Sequence, residues 1–277
     1  MKTPFCVFLL LASACSGLLA PAASAQISYG DATAVGDGWI RSYVTSNAGQ
    51  PQRVGFQFNQ AALTTFGSWL DTTLMLDLPS GAPAPFNHLM LNWNSAGHPG
   101  PGYGVPHFDF HFYFSTPEEV AAIPFSLAPA PIPSRFVASG YIPDAIVVPQ
   151  MGWHWLDSLA PEFSNPADFT QTFIYGYYGG KMTYVEPMIT KAFLDAGGDH
   201  VLAVRQPMDV QTSGYYPTEY GINVADGIYD VFVGGLDFRA SAVPEPATWG
   251  LWGAALLAGL IGWRRVHRTG ARSVGAA

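Results

Sequence analysis

Eight consecutive residues, His107-Phe108-Asp109-Phe110-His111-Phe112-Tyr113-Phe114, alternate without a break: every even position is phenylalanine and every odd position carries a polar atom. Successive side chains of a β-strand point to opposite faces. One strand of this sequence therefore presents an aromatic wall on one side and a His-Asp-His-Tyr row on the other. A helix would divide the four phenylalanines between two sides and leave no single apolar stripe. The segment commits this part of the chain to a sheet with one face on a core.

The period of two recurs along the chain. Strands are expected over 39–45, 53–58, 72–78, 87–93, 107–114, 135–139, 145–148, 170–178, 181–187, 200–205 and 229–238, where β-branched and aromatic residues alternate with others. Gly179-Gly180, between two such runs, is a two-residue hairpin signal. Helical periods are few. Thr116-Pro117-Glu118-Glu119 is a capping box with proline at the first helical position, leading into 120–123. Thr190 can cap a helix over 191–196 with Gly197-Gly198 as its stop, and a third short helix over 60–66 can follow Asn59. Short strands at regular spacing, with glycine and proline turns, predict a mainly β fold: a β-sandwich or barrel with two or three short helices.

The polar row has the composition of a metal site. Its spacing sets a limit: residues two apart on a strand lie about 6.6 Å apart and residues four apart about 13 Å. Two imidazoles on one ion, each bonded at about 2.1 Å, rarely start from α-carbons that distant. So His107 and His111 should not share one ion on a straight strand, whereas His107 with Asp109, or Asp109 with His111, can. Further ligands must come from elsewhere. His154 lies in Met151-Gly152-Trp153-His154-Trp155-Leu156-Asp157. Glu186 would share a strand face with Met182 and Tyr184, an acid among apolar neighbours. A buried carboxylate is costly unless paired, hydrogen-bonded or bound to a cation, which makes Glu186 a candidate for a shifted pKa. His88 and His98, just before the row, can add a ligand. With a divalent metal bound by His107, Asp109, His111, His154 and Glu186, or a subset of them, Glu186 or Tyr113 would be the acid/base candidates. The plain structural alternative is equally specific. The polar face of an antiparallel strand normally meets water, Asp109 can merely fix histidine tautomers, and His154 can be a core histidine bonded to a carbonyl. The motifs G-x-S-x-G and Ser-x-x-Lys, the P-loop and the Rossmann glycines are all absent, and Gly100-Pro101-Gly102-Tyr103-Gly104 reads as a loop.

Both ends of the chain read as targeting segments. Lys2 precedes an apolar stretch, 5–11, and Ala23-Ser24-Ala25 is an A-x-A site, so residues 1–25 are expected to be a secretory signal peptide cut after Ala25 by signal peptidase. The rival is lipidation at Cys15, behind the loose lipobox Leu11-Ala12-Ser13-Ala14. At the other end stands Val243-Pro244-Glu245-Pro246. After it come an uncharged apolar run, 247–263, and a basic tail, 264–277, that opens with Arg264 and Arg265. The run of about 17 residues sits at the short end of what spans a bilayer as a helix, and the arginines would stay cytoplasmic. Motif, transmembrane helix and basic stop, in that order, resemble the PEP-CTERM sorting signal, which exosortase reads in Gram-negative bacteria. The resemblance implies export across the inner membrane, transient residence there, and a final place in the cell envelope, at the cell surface or outside.

Between these ends residues 26–242 are expected to form a single exported domain. The ends hold 5 of the 12 basic residues and only 1 of the 20 acidic ones, which leaves 7 against 19 and a net charge of −12. That balance argues against nucleic acid as a partner and is compatible with cation binding. The only cysteines, Cys6 and Cys15, lie in the leader, so the exported domain has neither disulfides nor thiolate sites.

Several strings in order are similar to one bacterial family: Arg41-Ser42-Tyr43-Val44, Pro106-His107-Phe108-Asp109-Phe110-His111-Phe112-Tyr113, Met151-Gly152-Trp153-His154-Trp155-Leu156-Asp157, Phe173-Ile174-Tyr175-Gly176, Glu186-Pro187-Met188-Ile189-Thr190 and Tyr216-Pro217-Thr218. They resemble a domain family of unknown function whose type member belongs to a thermophile sigma-E, envelope-stress regulon. The resemblance would span residues 37–239. It implies a β-rich exported domain, often self-associating into a homo-oligomer, and brings no catalytic mechanism with it.

Three functions follow from these readings. The first is an exported surface, matrix or envelope-stress domain without enzymatic activity, since exosortase signals accompany proteins made with exopolysaccharide. The second is a metal-binding protein or metal-dependent enzyme of cupin-like or barrel type. Cupins pair histidines two residues apart, whereas His107 and His111 are four apart with Asp109 between. The third is carbohydrate binding through Trp153, Trp155, Tyr215 and Tyr216.

Overall fold

The computed structural model describes residues 25–242. The expected signal peptide up to Ser24, with Cys6, Cys15 and Ala23, lies outside the described residues. So do Pro244, Glu245, Pro246, the apolar run and Arg264 and Arg265 of the tail. Ala25 opens the first strand. Among the described residues no helix is long and apolar enough to cross a membrane.

Two antiparallel sheets make the fold, numbered here in chain order. The first runs β1 (Ala25–Tyr29), β3 (Gly38–Asn47), β4 (Gln50–Asn59), β15 (Ile228–Gly234), β14 (Glu219–Ala225), β12 (His200–Ala203), with β2 (Thr33–Val35) also paired to β3. The second runs β5 (Thr72–Asp77), β6 (His88–Asn94), β7 (His107–Tyr113), β11 (Lys181–Thr190), β10 (Gln171–Tyr178), β9 (Gly152–Asp157), β8 (Tyr141–Val148). A small pair, β13 (Gly214–Tyr216) with β16 (Asp237–Arg239), closes one end. The middle of the chain supplies the whole second sheet and the two flanks supply the first. Neither sheet closes on itself, so of the two architectures the sequence allowed, sandwich and barrel, the molecule adopts the sandwich-like one.

The sheets meet through aromatic side chains. Phe56 of β4 packs edge-on against Phe110 and Phe112 of β7, with ring centroids 5.1 and 5.3 Å away. Phe108 meets Phe66 at 5.3 Å. Phe108, Phe110 and Phe112 are almost completely buried. Each buried ring of this size contributes roughly 1.5–3 kcal/mol relative to exposure. The phenylalanine face of β7 is thus the centre of the core, and its histidine face is turned away from it.

The three expected helices occur as expected. α1 (Gln60–Phe66) is capped by Asn59, whose Oδ1 accepts from the amide of Ala62 at 3.1 Å. α2 (Pro117–Ala121) has Thr116 and Glu119 in a reciprocal capping box. Thr190 caps α4 (Lys191–Ala196), and Gly197 ends it. A short α3 (Pro161–Ser164), anticipated by nothing in the apolar pattern, precedes β10. Gly179 and Gly180 both have positive φ, 59° and 81°, and join β10 to β11 in a two-residue turn whose backbone twist suits a hairpin.

The expected strands need three corrections. Residues 135–139 are not a strand: a 3-10 turn occupies Ser134–Phe136, because Phe136 must enter the core just after prolines that fix the chain direction. The run over 229–238 breaks after Gly234, where β15 leaves the first sheet and β16 joins the small pair. The strands β1, β2, β9, β13 and β14 were not anticipated, and β9 is the one that carries His154.

Candidate metal centre

The histidine row of β7 is roofed over rather than wetted. All seven residues of the strand are buried, His107 and His111 completely. On one side β6 sets Met90, Asn92 and Asn94 opposite His111, Asp109 and His107. On the other side β11 sets Tyr184 opposite Tyr113 and Met188 opposite Asp109, which brings Glu186 level with His111. The expectation that this face meets water is therefore overturned.

Two strands beyond β11, β9 also sends alternate side chains to opposite faces. Trp153 and Trp155 pack edge to face at 5.2 Å against the core, so His154 between them points to the roofed face. Its partner on β10 is Gly176, which in turn pairs with Tyr184 on β11. Across this one glycine the imidazole of His154 reaches Glu186. The Nε2 atoms of His154 and His111 each lie 3.5 Å from Glu186 Oε2, and one ligand atom from each of the three residues falls within 4.8 Å of the others. Glu186 does not share its face with Met182. A bulge at Thr183, seen as the slip from Gly176↔Tyr184 to Tyr177↔Met182 in the pairing, turns Met182 to the core and Tyr184 and Glu186 to the cavity side. Bulges commonly re-aim side chains beside sites.

The row splits as its spacing demands. His111 goes to His154 and Glu186, while His107 and Asp109 join His98, whose loop follows β6. His107 Nε2 stands 3.2 Å from Asp109 Oδ1, and His98 Nε2 stands 3.8 Å from Asp109 Oδ2. Asn94 Nδ2 donates to Asp109 Oδ2 at 2.7 Å. The 95–106 loop can fold this tightly because Gly97 has φ +73°, and a Cβ there would stand 2.1 Å from the carbonyl oxygen of Tyr103.

Burial sets the charges. It pushes His111 down to about 3, with His154 adding to the shift, and pushes His154 down to about 4. Both rings are neutral at pH 7 and keep a lone pair to donate. Burial, with the charge of Asp109, holds Glu186 well above the usual carboxylate range. Burial also acts to raise Asp109, but its contact with His107 outweighs it and holds that carboxyl low. Neither ring nitrogen of His111 has a hydrogen-bond partner, and Glu186 Oε2 has none.

A cavity of about 500 Å³ opens over these groups. Asp109, His98, His154 and Glu186 line its polar side, and Ile146, Val148, Leu156, Ile174 and Met188 its apolar side. Tyr113 is buried beside the cluster. Its ring stacks on His111 at 5.5 Å and its hydroxyl donates to the Met151 carbonyl at 3.4 Å. His88 stacks on the other side of Tyr113 at 4.7 Å and joins neither triad. One acid escaped the sequence reading: Glu162, at the start of α3, is 1% exposed, and burial raises its pKa. The hydroxyl of Tyr103 reaches it at 3.5 Å. Its only signal in the sequence was an acid following proline at a helix start. The four aromatics considered for sugar binding lie apart from the histidine clusters in differing surroundings. Tyr216 is buried, Trp153 and Trp155 pack on the core, and Tyr215 meets Phe238 at 5.4 Å.

A sandwich-like β domain with a histidine–carboxylate cavity, followed by a sorting tail, is the class of protein these features define: exported, and sorted by exosortase to the cell envelope or surface. Residues 242–266 match the family model described as the PEP-CTERM protein-sorting motif. No curated protein and no solved structure matches the chain.

Proposed function

We propose that the exported domain binds one divalent transition-metal ion through His111, His154 and Glu186, and works as a metal-binding or metal-dependent enzymatic domain outside the cytoplasm. The observation that carries this reading is the spacing of the three donor atoms. Ligands bonded at about 2.1 Å around a tetrahedral ion stand about 3.4 Å from one another. The two 3.5 Å separations at Glu186 Oε2 match that edge and are long for a charge-assisted hydrogen bond. Two neutral imidazoles and one carboxylate suit zinc, and also ferrous iron with open positions. The fourth position would face the cavity, where a bound water could be activated for hydrolysis or the ion could meet oxygen.

The flanking segments agree with work outside the cytoplasm. Signal peptidase would remove residues 1–25 and exosortase would act at the Pro244-Glu245-Pro246 motif. The strings that resemble the sigma-E-regulon family are in keeping with an envelope setting. Metal content by mass spectrometry of residues 26–242, purified without chelator or affinity histidines, tests the proposal. Metal bound at this site and lost in His111→Ala supports it. A stably folded, metal-free protein that takes up no zinc would overturn it and leave an exported domain with a polar buried strand face.

A further inference from the structure

We infer that His98, His107 and Asp109 form a second divalent-cation site, separate in its ligands from the first and opening on the same cavity. The far side of each ring fixes its tautomer. Nδ1 of His107 lies 2.7 Å from the carbonyl oxygen of Val105, and Nδ1 of His98 lies 3.0 Å from that of Pro99. A carbonyl can only accept, so in both rings the proton sits on Nδ1 and the neutral ring keeps its lone pair on Nε2. Both Nε2 atoms then face the Asp109 carboxylate, at 3.2 and 3.8 Å.

Three acceptors thus converge with one donor among them, Asn94 Nδ2. That amide already serves Asp109 Oδ2 and stands 3.4 Å from His107 Nε2. Asp109 Oδ1 has no hydrogen-bond partner, although its side chain is only 6% exposed. A proton on one ring would join one imidazole to the carboxylate and leave the other facing it with a lone pair. One cation satisfies all three, and the ligand atoms lie within 4.8 Å of one another. An imidazole held by Nδ1–H to a backbone carbonyl, with Nε2 free, is also the usual posture of a metal-bound histidine. His98 is brought over His107, ring centroids 4.7 Å apart, by the closed 95–106 loop. Its side chain is 37% exposed, so this ligand can leave and the site should exchange its ion more readily than the buried first one.

The test uses the exported protein, stripped with a chelator, equilibrated with excess Zn²⁺ and freed of unbound metal, with zinc per chain read by mass spectrometry. Two ions per chain are expected, falling to one in His98→Ala and to one in His154→Ala. His98 is half-exposed and on a loop, so its truncation should leave the fold intact; Asp109→Asn, which keeps the shape, is the second variant. One zinc per chain that survives both His98→Ala and Asp109→Asn would overturn the second site and leave the first standing. One zinc lost in His98→Ala but not in His154→Ala would do the reverse. No bound zinc would overturn both.

Discussion

Gly176 and Tyr184 pair across β10 and β11, and the tyrosine ring occupies the space that any side chain at 176 would need. A Cβ on residue 176 would stand 2.1 Å from Cε1 of the ring. That ring packs against His111 at 5.0 Å and His154 at 5.7 Å. Gly176→Ala should therefore lower stability by about 1–3 kcal/mol, the usual cost of overpacking, and weaken zinc binding at the first site. Thermal melting and zinc titration check this. Unchanged Tm and affinity would mean that the ring moves aside freely.

Glu186→Gln should act with opposite signs on binding and on folding. The amide keeps the shape but cannot neutralise an ion, so affinity at the first site should fall by more than the roughly 10–100-fold typical of losing an outer-shell partner. In the metal-free protein the same change removes a buried acid whose Oε2 has no hydrogen-bond partner, and Tm should hold or rise. A clear drop in metal-free Tm, with zinc affinity intact, would assign Glu186 a structural role instead.

The metal-free protein should be sensitive to acid in a defined window. His111 and His154 titrate in the folded state near 3 and 4, against an ordinary value of 6.5. Their depressed values mean that folding favours the neutral rings. The stability they contribute is present above about pH 6.5 and is lost progressively as pH falls toward 4 and then 3. Glu186 works the other way: its raised pKa means stability lost as pH rises through its folded value. Bound metal needs neutral rings and an ionised Glu186, so zinc affinity should increase with pH. Melting curves across pH, in chelator and in zinc, separate the metal-linked effect, and Glu186→Gln removes the opposing carboxyl; in that metal-free variant a Tm that stays flat between about pH 6.5 and 4 contradicts the first.

The sorting tail makes its own prediction. Glu245→Ala should leave the chain uncleaved and held in the inner membrane, while the exported domain keeps its fold. Fractionation and immunoblotting of the two forms decide this, and normal release of the variant would count against exosortase recognition of the motif.

Much of the fold was legible because it is local. Alternation at β7, the capping box at Thr116, the caps at Asn59 and Thr190 and the glycine pair at 179–180 are each written in a few adjacent residues. The failures also have local causes. β9 is short and interrupted in hydropathy by His154, and prolines near Arg135 turned an apparently β-like run into a 3-10 turn. The bulge at Thr183 left no mark in the sequence, yet it decides that Tyr184 and Glu186, rather than Met182, face the cavity.

By itself the sequence determined the C-terminal sorting signal, the mainly β class, the two faces of β7 and the rule that His107 and His111 should not serve one ion. These follow from side-chain periodicity and from distances along a single strand, which need no partner. Only the tertiary structure decided which residues complete each cluster. Strand order placed β11 and β9 beyond β7 and so gave His111 to Glu186 and His154, and a closed loop gave His98 to His107 and Asp109. Burial decided the rest. The same imidazoles and carboxylates would be ordinary surface groups in water, and beneath the roof of this sheet they become neutral donors and an acid held above its usual range, because a low-dielectric interior penalises every charge that lacks a counterion.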